Sequence, residues 1–190
     1  HSDPPATKIS SARSPQRTVY FEQTVTDASK PPRFDIDIEF LSSAYCPKLY
    51  PAKVQPYDVN GAVYREYTAE RPPHILFPPK VKDLAHEIVG DETNPLEKAR
   101  RIFRWISKNV SWCAEQEYSI IPSLSAHGLT ARRGDCGVQG TSFITLCRAA
   151  GVPARWQSGW QLKPGELKMH DWAEVYIEPW GWRPAARSWG

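Results

Sequence analysis

Apolar and polar positions follow two rhythms along the chain. In "RFDIDIEF" (33–40), Phe34, Ile36, Ile38 and Phe40 alternate with Asp35, Asp37 and Glu39. A period of two predicts a half-buried strand with one wet face. "AVYREYTAE" (62–70) reads as a second strand. The rhythm then lengthens. "VKDLAHEIVG" (81–90) sets Val81, Leu84, Ala85, Ile88 and Val89 on one helical stripe, with Gly90 suited to end it. In "NPLEKARRIFRWISKNV" (94–110), Asn94 caps, Pro95 opens the helix and Glu97 nearly completes a capping box. Leu96, Ala99, Phe103, Ile106 and Val110 form its apolar stripe. Residues 111–135, rich in small side chains, read as a loop. A third helix is expected from about Gly137 to Ala150, stopped by Gly151 and Pro153. Strand rhythm returns in "PARWQSGW" (153–160), "HDWAEVYIE" (170–178) and "GWRPAARSW" (181–189), with "QLKPGELKM" (161–169) a turn or loop. Helices followed by an antiparallel sheet predict an α+β fold.

Composition changes this picture mainly at the N-terminal side. Residues 1–17 are Ser-, Pro- and charge-rich with little to bury, and are expected to be a flexible leader. Residues 18–70 then form a small β-rich extension, 71–80 a proline-rich connector and 81–190 the core. The 18 prolines in 190 residues argue against an all-helical bundle. A net charge of +3 is too mild a footprint for nucleic acid. Arg100, Arg104 and Lys108, spaced by four, read as a solvated helix face. No apolar run approaches the roughly 20 residues that span a bilayer, so no membrane insertion is expected. The chain opens on His1, as removal of a preceding segment would leave it, and a natural chain continuing past Gly190 is expected.

Cys46, Cys113, Cys136 and Cys147 form neither a C-x-x-C pair nor a metal-ligand spacing, so no metal is expected. A Cys46–Cys113 bond is open in an oxidising compartment. There is neither a P-loop nor a dinucleotide fingerprint, and no cofactor is expected. The chemistry concentrates in "RRGDCGVQG" (132–140), where Cys136 stands at the start of a helix. Unpaired N–H groups and the positive end of the helix dipole favour a thiolate there. Gly134 and Gly137 keep the backbone free of Cβ bulk, so a substrate carbonyl can approach, and the Cys136 N–H is placed to hold an oxyanion. Asp135 opposes ionisation unless its carboxylate caps the helix. Spacing alone leaves Cys136 open as nucleophile or buried packing residue; Cys147, three turns on in the apolar stretch, reads as packing. Strand alternation puts His170, Trp172, Glu174 and Tyr176 on one face, and Asp171, Ala173, Val175 and Ile177 on the other. Trp112 and Tyr118, in the preceding loop, carry polar hydrogens for a second oxyanion contact or a groove wall, with packing the alternative.

"RRGDCGVQGTSFITLCRAAGVPARWQSGW" followed by "HDWAEVYIEPWGW" resembles the transglutaminase-like superfamily over residues 81–190. The resemblance implies a papain-like α+β core, with Cys136 as nucleophile and His170 as base. It also implies bacterial, extracytoplasmic relatives, for which periplasmic or secreted location is expected. The family aspartate follows G-W-x-P, and here Ala186 stands at that position. An aspartate there would fix the histidine tautomer. In serine proteases, turning that carboxylate into an amide lowers turnover by about 10⁴, and a cysteine enzyme should suffer less because its thiol ionises more readily. The expected chemistry is acyl transfer at an amide carbonyl through a thioester, with a protein or peptide substrate. Hydrolysis is favoured. The alternatives are a cross-linking transglutaminase, a peptide N-glycanase-like amidase, and an inactive binding module on the same fold.

Overall fold

The structure, a computed structural model, describes residues 2–14, 18–39, 47–114, 117–163 and 165–185. The chain divides into two compact units, residues 1–47 and 48–190.

In the first unit, four two-residue strands form two antiparallel pairs. β1 (Ser2–Asp3) pairs with β4 (Asp35–Ile36), and β2 (Lys8–Ile9) pairs with β3 (Val19–Tyr20). The stretch expected as a flexible leader thus supplies two strands. The expected half-buried strand at 33–40 shrinks to its central pair. Phe34, Ile36 and Ile38 are 38%, 45% and 61% exposed, because two-residue strands present no second layer to cover them. Phe40 lies outside the described residues.

The second unit carries the core. α1 (Ala62–Tyr67) replaces the strand expected at 62–70. Its apolar positions serve a helix better: Tyr64 and Tyr67, three apart, share a face. Tyr64 stacks near Tyr57 at 5.4 Å, and Tyr67 meets Trp182 edge-on at 4.8 Å. α2 (Pro79–Val89) ends at Gly90, whose φ of 54° suits glycine. α3 (Pro95–Asn109) begins where its sequence places it, with the Asn94 carboxamide accepting from the Leu96 and Glu97 N–H groups. Its buried stripe includes Ile102, with Phe103 only partly covered.

Residues 111–135 hold more than the expected loop. β5 (Ser111–Trp112) pairs in parallel with β6 (Arg133–Gly134), and α4 (Leu124–Ala131), capped by the Ser123 hydroxyl, lies between them. α5 (Cys136–Ala149) follows and is buried from Gly137 to Arg148 except at Gly140. Fully covered side chains such as Ile144 and Leu146 contribute roughly 1.5–3 kcal/mol each. A three-stranded antiparallel sheet packs on α5: β7 (Ala154–Lys163), β8 (Glu166–Ile177) and β9 (Gly181–Ala185), in the order β7-β8-β9. The segment expected as a turn or loop at 161–169 is mostly strand. The ladder continues to Lys163↔Glu166, and Gly165 turns it at φ 78°. Of the two faces of β8 that alternation separates, the one carrying Ala173, Val175 and Ile177 is buried, with Ala173 and Ile177 at 0% exposure and Val175 at 6%. Helices α2, α3 and α4 pack on α5. The fold is α+β.

Candidate active site

Cys136 is the first residue of α5, and the turn before it is held from three directions. Asp135, the N-cap, accepts from the Val138 N–H at 3.1 Å and from the Tyr118 hydroxyl at 2.6 Å, both on Oδ1. Its carboxylate therefore does turn back to cap the helix. Gln139, buried, donates from Nε2 to the carbonyls of Gly134 (3.1 Å) and Val110 (3.3 Å), tying the first turn of α5 to the β5–β6 pair. Gly137 is required by close approach. A Cβ there would lie 2.1 Å from the Tyr118 Oη and 2.8 Å from the Trp156 ring. The space expected at Gly137 for a substrate carbonyl is thus filled by two aromatic side chains.

The thiol is half-buried in a narrow cleft whose lining includes Trp112, Gln139, Phe143, Asp171 and Trp172. The thiol donates to the Asp171 carboxylate, with Sγ 3.9 Å from Oδ2. Burial pushes the Cys136 thiol up; the Asp171 and Gly137 backbone N–H groups pull it down, and the charges of Asp171 and Asp135 raise it again. The balance lies above the ordinary thiol value. Asp171 is itself raised above the ordinary carboxyl range, first by burial and then by the charge of Asp135, with His170 and the thiol opposing. Burial and the bond to Asp135 keep the Tyr118 phenol protonated well past its usual range.

The residues singled out in the sequence fall as follows. Cys136 and Trp112 line one cleft, and Tyr118 acts through Asp135 at its rim. His170 pairs with Gly159 in the β7–β8 ladder, and its ring stacks on Trp172 at 6.3 Å and 27°. That ring contact puts the imidazole on the Trp172 face of β8, whereas Asp171 is the side chain that reaches the sulfur. Cys147 is fully buried, which raises its thiol far above the ordinary range. Ala186 and Cys46 lie outside the described residues. Asp171 and Gln139 carry local geometry that motif reading passed over. The signal for Asp171 was present, since it shares its strand face with Ala173, Val175 and Ile177.

A cysteine opening a buried helix and pressed against an antiparallel sheet defines a papain-like α+β domain. The chain belongs to the transglutaminase-like superfamily, whose family model matches residues 82–186. It is 30% identical over 158 residues to an uncharacterised protein of Haemophilus influenzae, covering 68% of this chain and 41% of that protein. It is 26% identical over 126 residues to the uncharacterised Bacillus subtilis protein YebA, covering 55% of this chain and 17% of YebA. The chain thus spans less than half the length of these curated relatives. Among solved structures, it resembles a "putative cysteine protease" of Cytophaga hutchinsonii, with a TM-score of 0.57, 25% identity, and coverage of 68% of this chain and 43% of that one. It also resembles the periplasmic domain of TgpA from Pseudomonas aeruginosa bound to ethylmercury, with a TM-score of 0.52, 19% identity, and coverage of 65% and 48%. No helix among the described residues is long and apolar enough to cross a membrane.

Proposed function

We propose that the chain carries a cysteine-dependent acyl transfer at an amide carbonyl, with Cys136 as nucleophile, His170 as base and water as the acceptor. The observation that carries this reading is the placement of the thiol. It opens a buried helix and sits in a cleft, in contact with Asp171. As the sulfur attacks the carbonyl carbon, its proton passes to the His170 imidazole. The oxyanion gathers at the Cys136 N–H. The imidazole returns its proton to the leaving amine, and a thioester remains; water then attacks the thioester carbon and releases the acid. The imidazole lies along Trp172, which itself lines the cleft, and Asp171 lies beside the sulfur. Ala186 stands where the family carries aspartate, so turnover should be impaired. The reading takes a protein or peptide substrate and an extracytoplasmic setting, in line with the periplasmic TgpA domain among the similar structures.

A second reading, a binding module with an unarmed thiol, is favoured by the burial and the carboxylates that raise the Cys136 thiol. Digestion of denatured casein in ¹⁸O-water with added cadaverine separates the possibilities. Hydrolysis predicts new C-termini carrying ¹⁸O, more of them with Ala186→Asp and none with Cys136→Ala. Incorporated cadaverine would make the acceptor an amine. No product from either the native chain or Ala186→Asp would leave the binding module.

A further inference from the structure

We propose that the exposed apolar side chains around the Cys136 cleft form a docking surface for an extended polypeptide with bulky apolar residues beside the attacked amide, an inference that rests on the acyl-transfer reading above. Among the described residues of the second unit, the four most exposed large apolar side chains are Ile120 (72%), Trp112 (65%), Met169 (64%) and Trp160 (63%). Three of them, Trp112, Trp160 and Met169, lie on elements that reach the Cys136 contact. Trp160 and Met169 face each other in the β7–β8 ladder. The next pairs inward on the same face are Ser158↔Asp171 and Trp156↔Ala173. Asp171 touches the Cys136 sulfur, and Trp156 packs where Gly137 leaves room. The Trp160–Met169 pair therefore lies one strand period, roughly 7 Å, beyond the thiol contact. α5 starts at Cys136, so the hairpin overhangs the helix end and nothing among the described residues covers this pair. Trp112 lines the cleft itself, and Ile120 follows Tyr118, whose hydroxyl sits over Gly137.

Large apolar groups standing in water around a cleft mark an interaction site more than a packing need. Continuity with the thiol cleft and the neighbouring strand edge together point to the occupant. It must present a carbonyl to Cys136, and among the described residues β7 is one of the two edge strands of its sheet, suited to bonding a further extended chain. A polypeptide meets both requirements, with side chains falling alternately toward the Trp160–Met169 face.

Affinity alkylation tests this without depending on turnover. Iodoacetyl-Phe-Phe-amide, iodoacetyl-Ser-Ser-amide and plain iodoacetamide are compared at pH 9 on the native chain, with Cys136 labelling read by peptide mass mapping. In each, the thiolate forms a C–S bond and iodide leaves. The Phe-Phe probe is expected to label Cys136 about tenfold faster than the Ser-Ser probe, the advantage of burying one large apolar side chain. Trp160→Ser with Met169→Ser should bring that ratio near one while leaving the iodoacetamide rate unchanged, and Met169→Lys alone should cut it by about half or more. Equal rates for the two peptides on the native chain, or a preference that survives the double substitution, would overturn the docking surface. Concentration-dependent dimerisation lost in the double variant would also overturn it, by assigning the patch to a second copy. Iodoacetamide alone reports the thiol, so a failed docking surface and a failed nucleophile give different results.

Discussion

At Cys136 the sulfur lies between groups that favour and oppose its charge. Backbone N–H groups from Asp171 and Gly137 favour the thiolate, while burial and the carboxylates of Asp171 and Asp135 oppose it. Asp135 is already committed to Tyr118 and Val138, so Asp171 is the carboxylate with most leverage on the thiol. Its removal separates the two contributions. Asp171→Asn is expected to raise the alkylation rate of Cys136 at pH 8 about fivefold, the effect of roughly 1 kcal/mol for a charge 4 Å away in a well-hydrated setting. The same variant has a signed effect on stability. Because the folded carboxyl titrates above its ordinary value, its contribution is present below that value and is lost as pH rises through the folded value. Asp171→Asn should therefore raise the melting temperature at pH 7, and the gain should vanish near pH 3. Thermal melts at the two pH values check this, and an equal gain at both would point to packing.

At the scale of elements, α5 is fixed by small residues that let neighbours come close. A Cβ on Gly128 of α4 would meet the Ser142 Oγ at 2.4 Å and the Val138 Cγ1 at 2.7 Å, both on α5. The Ser142 hydroxyl is fully buried and donates to the Val138 carbonyl at 2.8 Å, so it has no room to retreat. Gly128→Ala improves helix propensity by about 1 kcal/mol, but overpacking of this kind costs up to about 3 kcal/mol. The net loss of about 2 kcal/mol should lower the melting midpoint by roughly 4–8 °C. An unchanged midpoint would mean that α4 shifts freely over α5.

The same scale shows what the sequence carried. Asn94, Pro95 and Glu97 announced the start of α3, because a cap depends only on neighbours along the chain. Cys136 at the start of α5 was legible for the same reason. α1 was not, since Tyr64 and Tyr67 are ordered by Tyr57 and Trp182, more distant in sequence. Nor was the β7–β8 hairpin: the Gly165 that reads as a break turns it, and the ladder depends on pairing that no single segment displays. The contact between Asp171 and the thiol joins two elements 35 residues apart. It follows from alternation only once α5 is known to lie on that face of the sheet.

Across the whole molecule, the buried helix, the three-stranded sheet and the helices packed on α5 serve to hold one thiol at the mouth of a cleft. The superfamily match covers that assembly. Whether the assembly performs acyl transfer turns on one covalent bond. The most direct measurement is to incubate the native chain with 4-nitrophenyl acetate and map the acetyl group by peptide mass spectrometry, with buried Cys147 as the internal control. The thiolate should attack the ester carbonyl, nitrophenolate should leave, and the acetyl thioester should be found on Cys136 and not on Cys147. Ala186→Asp should form and lose that adduct faster. An unmodified Cys136 in both chains, with acetyl groups only on surface lysines, would contradict its role as the nucleophile.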